Sequence, residues 1–222
     1  MNAIAPAATS RQRLGIWITL AVMLLLVAGL FGGSMIVTLV SKPDLRAELE
    51  QRSALYFQTP RAIPEVPLVN HHGEEFLSSG FKDQWHLINF GFTFCPDICP
   101  TNMMDMVTIH ENLSAEGLAD NIQMWMITVD PPRDTPEILA EYVPFFHPDF
   151  IGLTGEVTEI RVLAQQLNTV FFQESDDPSY NVAHSDNMAI INPRGEYVAL
   201  LRPPHNPQQM TEVLSLLMRF SD

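Results

Sequence analysis

The hydrophobic pattern divides the chain into two unequal parts. From Leu14 to Val40 the sequence reads LGIWITLAVMLLLVAGLFGGSMIVTLV without a charged residue, longer than the roughly 20 apolar residues that cross a bilayer as a helix. A cleaved signal would carry an apolar stretch of about 7–15 residues, so this run predicts an uncleaved anchor. Arg11 and Arg13 precede it and no acid does, which places residues 1–13 in the cytoplasm and everything after the span outside. Gly29 and Gly33 stand four apart in the run, a spacing that lets two membrane helices approach; a homodimer through that face is one reading and ordinary membrane composition the other.

Residues 41–64 mix charges with helix formers (LRAELEQRSALYF) and run into Pro60 and Pro64. The pattern predicts a juxtamembrane helix or tether. Residues 65–222 alternate strand-like and helix-like segments. WHLINFGF (85–92) and IQMWMITVD (122–130) are apolar runs suited to buried strands. A helix follows the first over 101–113, with Met104, Val107 and Thr108 on one face. Another begins near Thr135, with Thr135 as cap, Pro136 in the first turn and Glu137 at the positive end. Residues 157–168 read as a helix, 188–201 as a hairpin around Asn-Pro-Arg-Gly, and 207–220 as a closing amphipathic helix. This order predicts an α/β fold: a mixed sheet flanked by helices on both faces, as in thioredoxin, preceded by an N-terminal transmembrane helix.

Charge narrows the partners. All 26 acids but only nine of the 12 bases follow Pro43, a net −17 on the exported part. Nucleic acid is excluded as a partner because its phosphates would be repelled.

The chemistry lies in GFTFCPDICP, which holds the chain's two cysteines, Cys95 and Cys99. One close pair is too little to staple a domain of this size, and closing so short a loop removes little unfolded-state entropy. The pair sits where a predicted parallel strand gives way to a helix, the usual place for functional groups in such sheets, and a helix N-terminus favours thiolate. Positions i and i+4 on a helical turn stand about 5–6 Å apart at the β-carbons, which leaves room for a metal ion; with Pro96 and Pro100 nearby, a non-helical loop that closes a disulfide is the other geometry. Two thiolates suit Cu(I), and an imidazole as third ligand would also serve Cu(II). Among the seven histidines, His184 in YNVAHSDN precedes the predicted hairpin, in a loop that a thioredoxin-like sheet brings near the cysteines. His71 and His72 beside Gly73 read as a turn, and Met103, Met104 and Met106 as core filler more than as thioether ligands. Asp97 in the first helical turn suits the helix dipole. Arg133 and Asp134 are expected to pair with each other or to serve turn and cap.

FGFTFCPDICP, VDPPRDTP and YNVAHS with NPRG, in that order, resemble the motifs of the Sco/SenC family of copper chaperones. The likeness runs from about Glu65 to Phe220. It implies Cys95, Cys99 and His184 as ligands of one copper, Cu(I) or Cu(II), and a thioredoxin-like domain in the periplasm, tethered to the bacterial inner membrane by a single pass. It also implies a role in assembling the binuclear copper site of cytochrome c oxidase, with the copper-bearing subunit as recipient and a periplasmic thiol reductase or copper donor as further partner. The alternative is a thiol–disulfide oxidoreductase using Cys95 and Cys99 to keep that subunit's cysteines reduced, with peroxide reduction a more distant third. Ala183 stands where the family usually has Asp, a place from which a carboxylate would orient the imidazole; Asp186 is the nearest substitute.

Overall fold

The computed structural model describes residues 10–40, 44–175, 177 and 180–220; within the first helix it describes side chains at 15 and 17–31. The chain separates into two compact units, Met1–Pro43 and Asp44–Asp222. The first contains one long helix, α1 (Ser10–Val40), whose described apolar side chains, such as Leu24, Leu25 and Phe31, are exposed. Taken over the described residues, no helix is long and apolar enough to cross a membrane. Of the anchor expected over 14–40, the side chains at 15 and 17–31 are described and the rest lie outside the described residues.

The second unit is built on an eight-stranded sheet. Its strands are β1 (Ala54–Ala62), β2 (Pro67–Asn70), β3 (Glu75–Leu77), β4 (Trp85–Gly91), β5 (Ile122–Thr128), β6 (Ile151–Thr154), β9 (Met188–Ile191) and β10 (Glu196–Leu201); β7 (Phe171–Gln173) and β8 (Val182–His184) form a separate two-stranded sheet. The spatial order is β1-β10-β9-β4-β5-β6-β2-β3. β4, β5 and β6 run parallel, with β4 and β5 in register from Trp85 opposite Ile122 to Gly91 opposite Thr128; every other pairing is antiparallel. The predicted mixed α/β sheet is therefore observed. All seven residues of β4 are buried, which explains its mainly apolar sequence; His86 and Asn89 are its buried polar side chains.

Five helices complete the unit: α2 (Leu45–Glu50), α3 (Ile98–Ala115), α4 (Pro136–Phe146), α5 (Val157–Gln166) and α6 (Pro207–Phe220). On one face Leu87 and Met126 of the sheet pack with Met106 of α3, Leu139 of α4 and Leu214 of α6. On the other, Ile88, Phe90 and Ile127 pack with Ile160 and Leu163 of α5. The alternation of Leu87 and Ile88 between the two cores is the two-residue period of the strand. Thr135 caps α4 by accepting from the Ile138 N–H at 3.5 Å, with Pro136 following, as its sequence predicts.

Two expectations need correction. α3 buries Met103, Met106, Ile109 and Leu113, while Met104 is exposed. The helix starts at Ile98 rather than Thr101, and the series from Cys99 is the longer apolar stripe at i+3/i+4 spacing. The tether expected over 41–64 is also largely structured. Asp44 caps α2 by accepting from the Arg46 and Ala47 N–H groups, and 54–62 is a strand paired with β10. Pro60 is tolerated there because β1 is an edge strand, where a missing N–H breaks no ladder; the register shifts between Tyr56 and Arg61.

His71 is a strut. Its Nδ1 accepts from the Gly152 N–H at 2.9 Å and its own N–H donates to the Gly152 carbonyl at 2.9 Å, tying the β2–β3 turn to β6.

Candidate metal centre

The site grows from the C-terminal end of β4. After Gly91 the chain turns, with the Cys95 N–H donating to the Phe92 carbonyl at 3.2 Å, and enters α3 at Ile98. Asp97 stands at the cap position but its side chain makes no cap bond. A sulfur does so instead: the Cys99 N–H donates to Cys95 Sγ at 3.4 Å. Cys95 thus lies outside the helix rather than one turn along its face, and the two thiols meet because one of them crowns the end that carries the other. Both are buried and free, with no disulfide.

Gly91 makes the close approach sterically feasible. A Cβ built there would stand 3.2 Å from Cys99 Sγ, tight enough to force the sulfur aside. Gly91→Ala is expected to destabilise the fold by about 1–3 kcal/mol through overpacking, measurable as a lower urea midpoint with unchanged slope.

The loop is held by an acid from the next crossover. Asp134, wholly buried, accepts from the Thr93 N–H at 3.1 Å, the Thr93 hydroxyl at 2.6 Å and the Thr128 hydroxyl at 2.6 Å. Burial raises its carboxyl above the usual range, and those hydrogen bonds pull the other way. The expected Arg133–Asp134 pair does not form. Arg133 instead bonds Asp130 and the Tyr180 carbonyl, the latter at 3.0 Å, and its guanidinium lies 3.9 Å from the Tyr180 ring and 4.9 Å from that of Phe94. The Tyr180 hydroxyl donates to Asp130 at 2.6 Å. Arg133 therefore fixes the segment that enters β8.

β8 ends at His184, opposite Phe171 of β7. His184 Nδ1 lies 3.1 Å from the Ser185 carbonyl. A carbonyl only accepts, so Nδ1 carries the hydrogen and Nε2 presents its lone pair. That Nε2 is 3.6 Å from Cys99 Sγ, across 85 residues of sequence. The distant imidazole and the helix-borne thiol are thus neighbours. Among the described residues no three or more His, Cys, Asp or Glu side chains are gathered as a closed metal site.

The helix end was expected to favour thiolate at the pair. At Cys99 burial wins and pushes the thiol up, with the backbone hydrogen bond from Phe92 only partly opposing. Burial thus favours the protonated thiol at Cys99, 3.6 Å from the Nε2 lone pair, and a metal held there would displace that proton. Two sulfurs and an imidazole nitrogen with a fixed tautomer fit copper: the sulfurs suit Cu(I), and the nitrogen extends the set to Cu(II).

The Asp186 carboxylate does not orient the His184 ring. Its Oδ1 accepts from Asn102 Nδ2 at 2.6 Å and lies 3.6 Å from His205 Nε2, so the Ser185 carbonyl orients the imidazole. Ala183 lies opposite Phe172 in the two-stranded sheet. Met103 and Met106 are buried in the core away from solvent, as filler. Sequence reasoning missed Asn89, Asn102 and His205, all beside the site. The one available signal was Asn89, which with His86 is one of two polar residues in a mainly apolar strand.

The sequence profile of the SCO1/SenC family matches residues 58–219. A SCO2-like protein of Rickettsia conorii is 33% identical over 195 residues, covering 86% of this chain and 94% of its own. Among solved structures, Arabidopsis thaliana ScoI with copper bound aligns with a TM-score of 0.65 and 29% identity, covering 71% of this chain and 99% of that one. Yeast Sco1 with copper bound aligns with a TM-score of 0.67 and 28% identity, over 72% and 90%. A match across most of the folded unit, joined to relatives of nearly equal extent, places the chain in the SCO1/SenC family.

Proposed function

We propose that this protein is a copper metallochaperone that holds one copper ion through Cys95, Cys99 and His184 and passes it to the copper-bearing subunit of cytochrome c oxidase. The observation that carries the reading is the 3.6 Å approach of His184 Nε2 to Cys99 Sγ, together with the Ser185 carbonyl that turns that nitrogen's lone pair toward the sulfur. Copper bound in the Arabidopsis and yeast relatives supports the choice of metal. Membership of the SCO1/SenC family supports the oxidase as destination. The uncharged run 14–40, helical within Ser10–Val40, supports a single-pass anchor in the bacterial inner membrane. With Arg11 and Arg13 before it, the folded unit faces the periplasm.

A second reading draws on the same pair. Cys95 crowns the helix end, whereas Cys99 lies beneath it at 0% exposure, an arrangement of attacking and resolving thiols. Cys95 as thiolate attacks a partner disulfide and expels one partner thiolate. Cys99 then attacks the Cys95 sulfur and expels the second partner thiolate, leaving Cys95–Cys99 oxidised. A periplasmic thiol reductase must return the two electrons before copper can bind again.

One experiment separates the readings. The full chain in detergent, fully reduced, is titrated with Cu(I) and Cu(II). The parent is expected to take up one copper, Cys95→Ser and Cys99→Ser to lose tight binding, and His184→Ala to retain Cu(I) weakly while losing its Cu(II) form. If His184→Ala binds as the parent does while disulfide reduction requires both cysteines, the oxidoreductase reading replaces the chaperone.

A further inference from the structure

A buried chain of amides lies behind the sulfur that meets His184. Asn89, on β4, is 1% exposed, and its Nδ2 has no hydrogen-bond partner among the described residues. Its Oδ1 accepts from Asn102 Nδ2 at 3.4 Å, and the same Nδ2 donates to Asp186 Oδ1 at 2.6 Å. His205 Nε2 closes the far end, 3.0 Å from the Asp186 carbonyl.

The carboxylate settles both amide orientations. Asp186 can only accept, so Asn102 must turn its NH2 group toward it. That NH2 also reaches Asn89, so the Asn89 oxygen faces Asn102 and its NH2 faces the opposite way. The amide and the sulfur lie against the same residue: a Cβ built on Gly91 would stand 3.2 Å from Cys99 Sγ and 3.6 Å from Asn89 Nδ2. The sulfur and the free amide border one methyl-sized notch, kept open by the absence of a side chain at residue 91. A buried donor left unsatisfied carries a desolvation penalty of about 1–3 kcal/mol, which an acceptor entering its reach would relieve. A protonated thiol is a weak acceptor; a thiolate is a strong one.

Resting on the copper reading above, we infer that the Asn89 side-chain amide donates a hydrogen bond to the Cys99 sulfur when that sulfur becomes a thiolate on copper. Asn89 is then a positioning residue that biases the site toward Cu(I). Donation to a ligand sulfur withdraws electron density from it and disfavours the higher charge on the metal, the same lever that tunes copper–thiolate centres elsewhere. Asn102 and Asp186 act through Asn89 by holding its amide in that orientation.

The test uses the full chain in detergent, with Asn89→Leu, which keeps the approximate volume and removes the donor, and Asn89→Asp, which keeps the shape and puts an acceptor in its place. Both are loaded with one copper, and the Cu(II)/Cu(I) midpoint and the thiolate-to-Cu(II) absorption band are measured. Each variant is expected to lose about tenfold in its preference for Cu(I) over Cu(II), a fall of 59 mV for one electron, with the band shifted to lower energy. Midpoints and bands equal to the parent's in both variants overturn the inference. The contact has a second, copper-independent readout. In the parent loaded with Ag(I), a soft cation that also takes the sulfur as thiolate, the Asn89 side-chain amide proton is expected downfield of its position in the reduced metal-free chain, and equal positions overturn the contact. A parent that takes up no copper while showing this downfield shift with Ag(I) defeats the copper reading and leaves the contact standing.

Discussion

Asp134→Ala is expected to lower the unfolding free energy by about 2–4 kcal/mol, because it strands buried donors that each carry a penalty of about 1–3 kcal/mol when unsatisfied. The Thr128 hydroxyl is wholly enclosed and the Thr93 donors partly so, so water can relieve only part of the loss. Removing a carboxylate from a buried place offsets some of it, which sets the upper limit. Asp134→Asn should fall between the two: an amide oxygen can still accept from Thr93, but its NH2 opposes the Thr93 N–H or the Thr128 hydroxyl. Urea unfolding of the three proteins at pH 7 checks the ranking. An alanine variant within 0.5 kcal/mol of the parent would mean that these bonds contribute nothing net. The same substitution should loosen the cysteine loop, since Thr93 lies two residues before Cys95, so copper affinity is expected to fall alongside stability.

Acid should destabilise the protein in large part through His86 in β4. His86 is 1% exposed; its Nδ1 accepts from the Trp125 Nε1–H at 3.0 Å, and the Phe81 ring stands 5.4 Å away. Burial lowers its pKa to about 4, against the small opposing influence of the Lys82 backbone and Asp83. The folded-state value lies below the ordinary 6.5, so the stabilisation is complete above pH 6.5. It is lost as pH falls from there toward 4, where the unfolded chain takes up a proton that the folded one refuses. Between pH 7.5 and 4.5 this amounts to about 2–3 kcal/mol. Other groups also titrate in that range, so the measurement is a difference of differences. His86→Gln, which keeps an acceptor for Trp125, should show a pH dependence shallower by that amount in urea melts at the two pH values. Equal slopes would show that His86 is protonated with little penalty in the folded state.

The sequence displays the parts of this fold whose physics is local. β4 and β5 announce themselves as apolar runs because both of their faces are covered, and α4 because Thr135, Pro136 and Glu137 each suit their helix position. β1 was hidden, since its residues follow a helix-forming stretch and include Pro60, and only its place at the sheet edge accommodates that proline. β7 and β8 are three residues each, too short for any period, so the sheet that presents His184 could not be read from hydropathy. At the site, the cysteines were legible from their position between strand and helix, and His184 only through resemblance. The partners of Asp134 were not legible: an acid next to an arginine gives no sign that one turns inward to two threonines while the other turns outward to an aromatic ring. The thiol's protonation was misjudged for a related reason. The helix dipole follows from sequence position, but the desolvation that outweighs it depends on residues from the rest of the chain.

The open sheet has two rims, and neither invites a second copy. One is β1, interrupted by Pro60 and followed by Arg61; the other is β3, three residues long and opened by Glu75. A rim that lacks a donor, carries charge or ends after three residues is a poor template for another strand. Copies that meet at high concentration therefore lack an open edge on which to pair, and blunted rims keep crowding from growing into intermolecular sheets.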